Sequence, residues 1–230
     1  MSILTVVQSA ATVIGIEVPA QVFPSTDRTM VEMKSMINRV AKQVAREHDW
    51  SMLRMIYEIT DTGSDFELPP NYDRMIRDGE IWGSSWGNSP LSQINSLNEW
   101  IQVTDQDYSS WSVSGYWTIM GGRLHVSPAS GSPFKFGFIS NEIVRNGQAL
   151  KQQFTNDADV FRLSEYLLEL ALIWNWKAAK GDDYAEEMAA YQVALADEIS
   201  ADRGPSIVRM GSSRLRNGIK RPYTNRIGYY

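Results

Sequence analysis

The chain is predicted to be an α+β protein: helix pairs from its two ends form a bundle, and a small antiparallel β-sheet is inserted between them. Three observations predict this. Residues 164–200 read as two consecutive helices, residues 2–48 read as two more, and the stretch between them changes to alternating residues and turns.

The C-terminal pair is the strongest signal. In residues 166–176 nine of eleven side chains are apolar, with Glu169 and Asn175 the exceptions. Leu163, Leu167, Leu170, Trp174 and Ala178 mark one helical face, and Leu168, Leu172 and Trp176 mark another. A helix apolar on two faces is buried from two sides, and eleven residues fall short of the ~20 that a bilayer requires. Gly181 supplies a stop, and Asp182 or Asp183 a fresh N-cap. The second helix carries a single stripe of Tyr184, Met188, Tyr191, Leu195 and Ile199, with Glu186, Glu187, Asp197 and Glu198 toward water. The helices are expected at 164–180 and 183–201, closed by Gly204-Pro205.

At the N-terminus, Ile3, Leu4, Val7, Ala10, Ala11 and Ile14 recur near the helical period, so a helix is expected over 2–14, closed by Gly15. Asp27 reads as the N-cap of a helix over 27–48 with Met33, Ile37, Val40 and Val44 on its inner face. The β-rich insertion runs from about 52 to 140. It holds strand-like segments near 52–60, 66–68 and 79–83, a brief helix near 97–103, and a hairpin at Gly121-Gly122. Phe134, Phe136 and Phe138 place three aromatic rings on one strand face. Residues 1–203 are thus expected to form the body and 204–230 an extended basic tail.

Charge separates these two parts. The chain has 22 basic and 27 acidic residues, and Arg203, Arg209, Arg214, Arg216, Lys220, Arg221 and Arg226 lie in a stretch with no acid. The other 202 residues therefore carry a net charge of −12. A basic tail on an acidic body is suited to an acidic partner surface, and its interleaved tyrosines suit a segment that orders on contact. The absence of cysteine excludes disulfides and thiolate metal sites and fits assembly in a reducing cytosol. No basic residue precedes the apolar stretch 3–14, which argues against a signal peptide.

Motifs for catalysis are sparse. His48 falls at a helix end, where a structural or capping role is expected, and His125 lies on the hairpin strand facing solvent or a neighbour. Asp105-Gln106-Asp107 and Asp157-Ala158-Asp159 lack the glycine and distal glutamate of a calcium loop and read as solvated turns or caps. Glycines 79, 83 and 87 lack the context of a phosphate-binding loop. No nucleophile elbow accompanies the histidines. No catalytic residue, metal ligand or cofactor is assigned, and a non-enzymatic role is expected. Of eight tryptophans, Trp50, Trp174 and Trp176 read as core, whereas Trp82, Trp86, Trp100, Trp111 and Trp117 cluster in the β region. Such a cluster is either core or a surface for carbohydrate or protein.

Four segments carry a family resemblance. They are Gly15-Ile16-Glu17-Val18-Pro19 with Ala45-Arg46-Glu47-His48-Asp49-Trp50, then Leu68-Pro69-Pro70-Asn71-Tyr72-Asp73-Arg74-Met75-Ile76, then Gly121-Gly122-Arg123-Leu124-His125-Val126-Ser127-Pro128 followed by Phe138-Ile139-Ser140-Asn141, and finally residues 168–186. In that order the chain resembles the head-to-tail adaptor (connector) proteins of short-tailed bacteriophages. The resemblance implies a structural virion protein: a ring of twelve copies at the head–tail interface, assembled in the host cytoplasm, joining the portal protein to the tail nozzle and letting double-stranded DNA pass during ejection. It implies that the tail binds the portal, with Arg209, Arg214, Arg216, Lys220, Arg221, Tyr223, Arg226, Tyr229 and Tyr230 as contact residues. Trp86 and Trp111 are expected at subunit interfaces, because they lie in turn-rich segments. The alternative is a carbohydrate- or receptor-binding virion module that uses the Trp-rich β region.

Overall fold

The computed structural model describes residues 2–77, 79–83, 90–105 and 115–204. Among the described residues, five α-helices and three sheets make it a mixed α+β fold. Helix α1 (Ile3–Ile14) ends at Gly15, whose φ of 74° is the left-handed turn that a glycine adopts at low cost. Helix α2 (Arg28–Glu47) is capped by Asp27, which accepts the Thr29 and Met30 N–H groups. Helix α4 (Glu165–Lys180) is capped by Ser164, and α5 (Ala185–Arg203) follows after Gly181. The expected boundaries hold to within about two residues, although Asp183 supports the start of α5 only through the Ala185 N–H, and Tyr184 occupies the cap position.

Helix α4 packs against α1, α2 and α5, which explains its two apolar faces. Leu167, Leu168, Ala171, Leu172, Ile173 and Trp176 are buried there. Two expectations about this helix need correction. Tyr166, at the head of the apolar run, is 60% exposed, and Trp174 is only partly buried; Trp176 is the indole in the core. Tyr166, in the first turn of α4, instead lines an open groove along α5.

Two antiparallel sheets and one mixed sheet replace the single small sheet expected. In the first, β8 (Phe134–Ser140) is central: β1 (Arg54–Ile59) pairs along one side, and β3 (Tyr72–Met75) and β4 (Ile81–Gly83) share the other. In the second, β2 (Gly63–Glu67), β7 (Arg123–Ser130), β6 (Tyr116–Met120) and β5 (Ser92–Gln93) follow in that order, with β5–β6 parallel. Gly121 and Gly122 join β6 to β7 with φ of 59° and 75°, the two positive values of a type I′ hairpin. Helix α3 (Leu97–Asp105) lies between β5 and β6 in the chain. The third sheet, β9 (Val144–Asn146), β10 (Ala149–Lys151) and β11 (Val160–Phe161), lies beyond residue 140, where no strand was expected.

Buried side chains form two clusters. The larger joins the helices to Val144, Phe154 and Phe161; the smaller holds Phe134, Phe136 and Phe138 against Phe66, Trp117, Leu124 and Val126. Strand β8 supplies both, because Ile139 turns into the helical cluster while the three phenylalanines face the other way.

Candidate functional site

The residues named for portal binding and for subunit contact all lie outside the described residues. These are Arg209, Arg214, Arg216, Lys220, Arg221, Tyr223, Arg226, Tyr229 and Tyr230 in the tail, and Trp86 and Trp111 in the β region. What the structure describes is the frame that carries them and the surfaces around it.

The root of the tail is one such feature. Asp202, in the last turn of α5, accepts the Ser51 Oγ–H at 2.5 Å and the Ser51 N–H at 3.0 Å. The Nε2 of His48 lies 3.3 Å from the oxygen that accepts the Ser51 N–H. Burial alone would raise the Asp202 pKa, but the Ser51 bonds and the neighbouring His48 and Arg54 outweigh it and hold the carboxyl below its ordinary value. Ser51 thus ties the segment that follows α2 to the end of α5, with the His48 ring, edge-on to Trp50 at 5.2 Å, beside that carboxylate. Serine, histidine and aspartate meet here with the carboxylate between the other two, so no base is set against the hydroxyl as a nucleophilic site would need.

Arg74 clamps the same end of α2. Its guanidinium meets Asp49 at 3.0 Å, Asp73 at 2.8 Å and the His48 carbonyl at 3.1 Å. Beside it a cleft of about 200 Å³ is lined by Lys42, Arg46, Leu53, Ile139, Asn141 and Gln152.

The acidic triplet 157–159 departs from its expected role. Asp159 is fully buried and accepts the N–H groups of Thr155 and Asn156, Asn146 Nδ2 and Lys151 Nζ. Burial pushes its pKa up, yet this set of donors outweighs burial and holds it below the ordinary carboxylate value. Asp157 accepts the Val22 and Phe23 N–H groups and so pins the linker between α1 and α2. Every described donor on these carboxylates belongs to the chain itself, so they act as internal anchors. Nothing in the motif signalled this; only the folded path of the linker brings residue 22 to residue 157. The other acidic triplet reaches outside the described residues at positions 106 and 107.

The tryptophans of the β region divide. Trp117 is 1% exposed and Trp100 9%, so both are core, while Trp82 stands at the surface with Nε1 on Glu80. His125, half-buried, lies 6.4 Å from Trp100 and 3.9 Å from Asp65.

Two outward features complete the picture. Ile56 on β1, an edge strand, is 77% exposed. Along α5, a groove of about 740 Å³ is lined by Tyr166, Ala189, Ala190, Val193 and Ala194 and rimmed by Glu186, Asp197 and Glu198. Among the described residues no group of His, Asp and Glu is placed to hold a metal ion, and no helix is long and apolar enough to cross a membrane.

The described surface is thus apolar along α5 and at Ile56, and α5 is anchored through its last turn. The chain belongs to the SU10 adaptor protein family, whose model matches residues 1–217. It is accordingly a structural adaptor-type protein of a phage and a virion component; membership implies contact with portal and tail components and binding rather than catalysis. No curated protein matches the chain.

Proposed function

We propose that the chain is a head-to-tail adaptor of a short-tailed phage, forming a closed ring of twelve copies between portal and tail nozzle through which the genome passes. The observation that carries this is the family match, which extends past the body into residues 204–217. In this reading residues 1–203 build the ring and residues 204–230 lie along an acidic surface of the portal. Seven cations without an anion supply the attraction, and arginine forks pair bidentately with carboxylates. The acidic body suits a conduit, because a wall that repels phosphate does not retain passing DNA. The carbohydrate-binding alternative loses support from Trp100 and Trp117, which are buried where a stacking platform would need them open.

Two measurements test the proposal. Native mass spectrometry of the protein mixed with its portal is expected to give one adaptor per portal subunit. Deleting residues 205–230 is expected to abolish portal attachment with the melting temperature nearly unchanged, and wild-type attachment is expected to weaken as salt rises. A truncated protein that docks normally but loses affinity for DNA would make the tail a nucleic-acid arm.

A further inference from the structure

We propose that the outward face of α5 is where the next copy of this chain docks, and that the face received there is the outward stripe of α2. The proposal rests on the ring reading above and names the contact that builds the ring.

Helix α5 is 19 residues long, yet Tyr191 is its one buried residue. Its inner row, with Leu195 and Ile199 beside Tyr191, packs on the helical cluster. The groove described above lies on a different face, and it is not merely small residues: Tyr166 is 60% exposed and Val193 64%. A helix apolar on two faces but covered on one has room for a second neighbour. Glu186, Asp197 and Glu198 on its rim have no ion-pair partner among the described residues.

On α2, Val31, Ser35, Arg39 and Lys42 fall on one exposed row, spaced by four, four and three residues. Val31 is 51% exposed, and neither Arg39 nor Lys42 has an ion-pair partner among the described residues. This row is apolar and cationic; the α5 face is apolar and anionic.

Charge decides how such faces combine. Face-to-face pairing of two α5 helices, or of two α2 helices, sets like charges together, so a two-fold dimer through either face is disfavoured. Pairing α5 of one copy with α2 of the next is favourable, and it leaves the pair one free face of each kind, an α2 face at one end and an α5 face at the other. That is a heterologous contact, which propagates and closes when the rotation allows. Both helices pack on α4, which holds the two faces in fixed relation within a copy.

The test uses two full-length variants. One reverses the α5 face (Glu186→Lys with Asp197→Lys); the other reverses the α2 face (Arg39→Glu with Lys42→Glu). All four side chains are exposed, so melting temperatures are expected to stay near wild type. Each variant alone, with portal present, is expected to need a roughly 100-fold higher concentration for half-assembly. Mixed in equal amounts they are expected to assemble again as alternating rings, because each supplies the face that the other lacks. Should the mixture fail to assemble, the pairing is wrong. Rings that form normally from either variant would give the groove to another occupant, the chain's own basic tail or a tail component, and would overturn the inference while leaving the ring intact. A wild-type chain that stays monomeric even on portal would instead overturn the ring reading itself.

Discussion

Asp159 is a fully buried carboxylate on which donors from Asn146, Lys151, Thr155 and Asn156 converge. Removing its carboxylate leaves the Thr155 and Asn156 N–H groups and the Lys151 ammonium without their acceptor. Asp159→Ala is therefore expected to destabilise the protein by about 3–5 kcal/mol at neutral pH. The pH dependence follows from the direction of the shift. Because the folded pKa is lowered from 3.8, the stabilisation is fully present above that unfolded value and is lost as pH falls through the lower folded one. Denaturant titrations should show the gap between parent and variant constant near neutrality and closing only in strong acid; a gap unchanged down to strong acid would remove the carboxylate from the account. In sequence Asp157-Ala158-Asp159 is indistinguishable from a solvated turn. The partners that make it internal come from residues 22, 23, 146, 151, 155 and 156, and no local pattern encodes that meeting.

At the scale of elements, the four long helices were legible because their apolar positions recur over many turns and their caps are chemically marked. The Gly121-Gly122 hairpin was legible for a similar reason, since two positive φ values in a row restrict the residue choice. Strands β9, β10 and β11, of two or three residues each, are too short to show a period and exist only through their pairing. The parallel β5–β6 pair escapes for the same reason. Which indole of α4 is core was also hidden, because both faces of that helix are apolar. The structure resolves it: Trp176 is 4% exposed, with the Lys180 ammonium 4.7 Å from its ring centre, whereas Trp174 leans on Tyr184 and Tyr191 near the surface. Trp176→Ala is expected to cost ~3–5 kcal/mol and Trp174→Ala distinctly less. Thermal melts of the two variants rank them, and the reverse order would mean that the outer row of α4 carries the packing.

For the molecule as a whole, the two buried clusters share strand β8, whose Phe134, Phe136 and Phe138 fill one and whose Ile139 enters the other. Loss of packing in the β cluster should therefore register in the helices. Leu124→Ala, at a fully buried position, is expected to cost about 2–5 kcal/mol. It should lower one shared transition, seen alike by far-ultraviolet and near-ultraviolet circular dichroism. Two separated transitions would show that the clusters melt independently. The surfaces that matter for assembly were the least legible part at this scale. On α5, Ala189, Ala190 and Val193 belong to no stripe named in the sequence, and only the folded arrangement shows that they form a second apolar face.

The bond from Ser51 to Asp202 has a consequence for how attachment would end. It holds the last turn of α5 against the segment that follows α2, and so fixes where the body ends. In a closed assembly every copy would then launch its C-terminal segment from an equivalent position on a common circle. The 26 residues from 205 to 230 span at most about 90 Å, which bounds how far from the body each segment could meet a site. Once one is bound, the rest meet their sites at effective concentrations in the millimolar range. Contacts that are individually weak and screened by salt then hold by avidity, and the joint should let go abruptly over a narrow range of ionic strength.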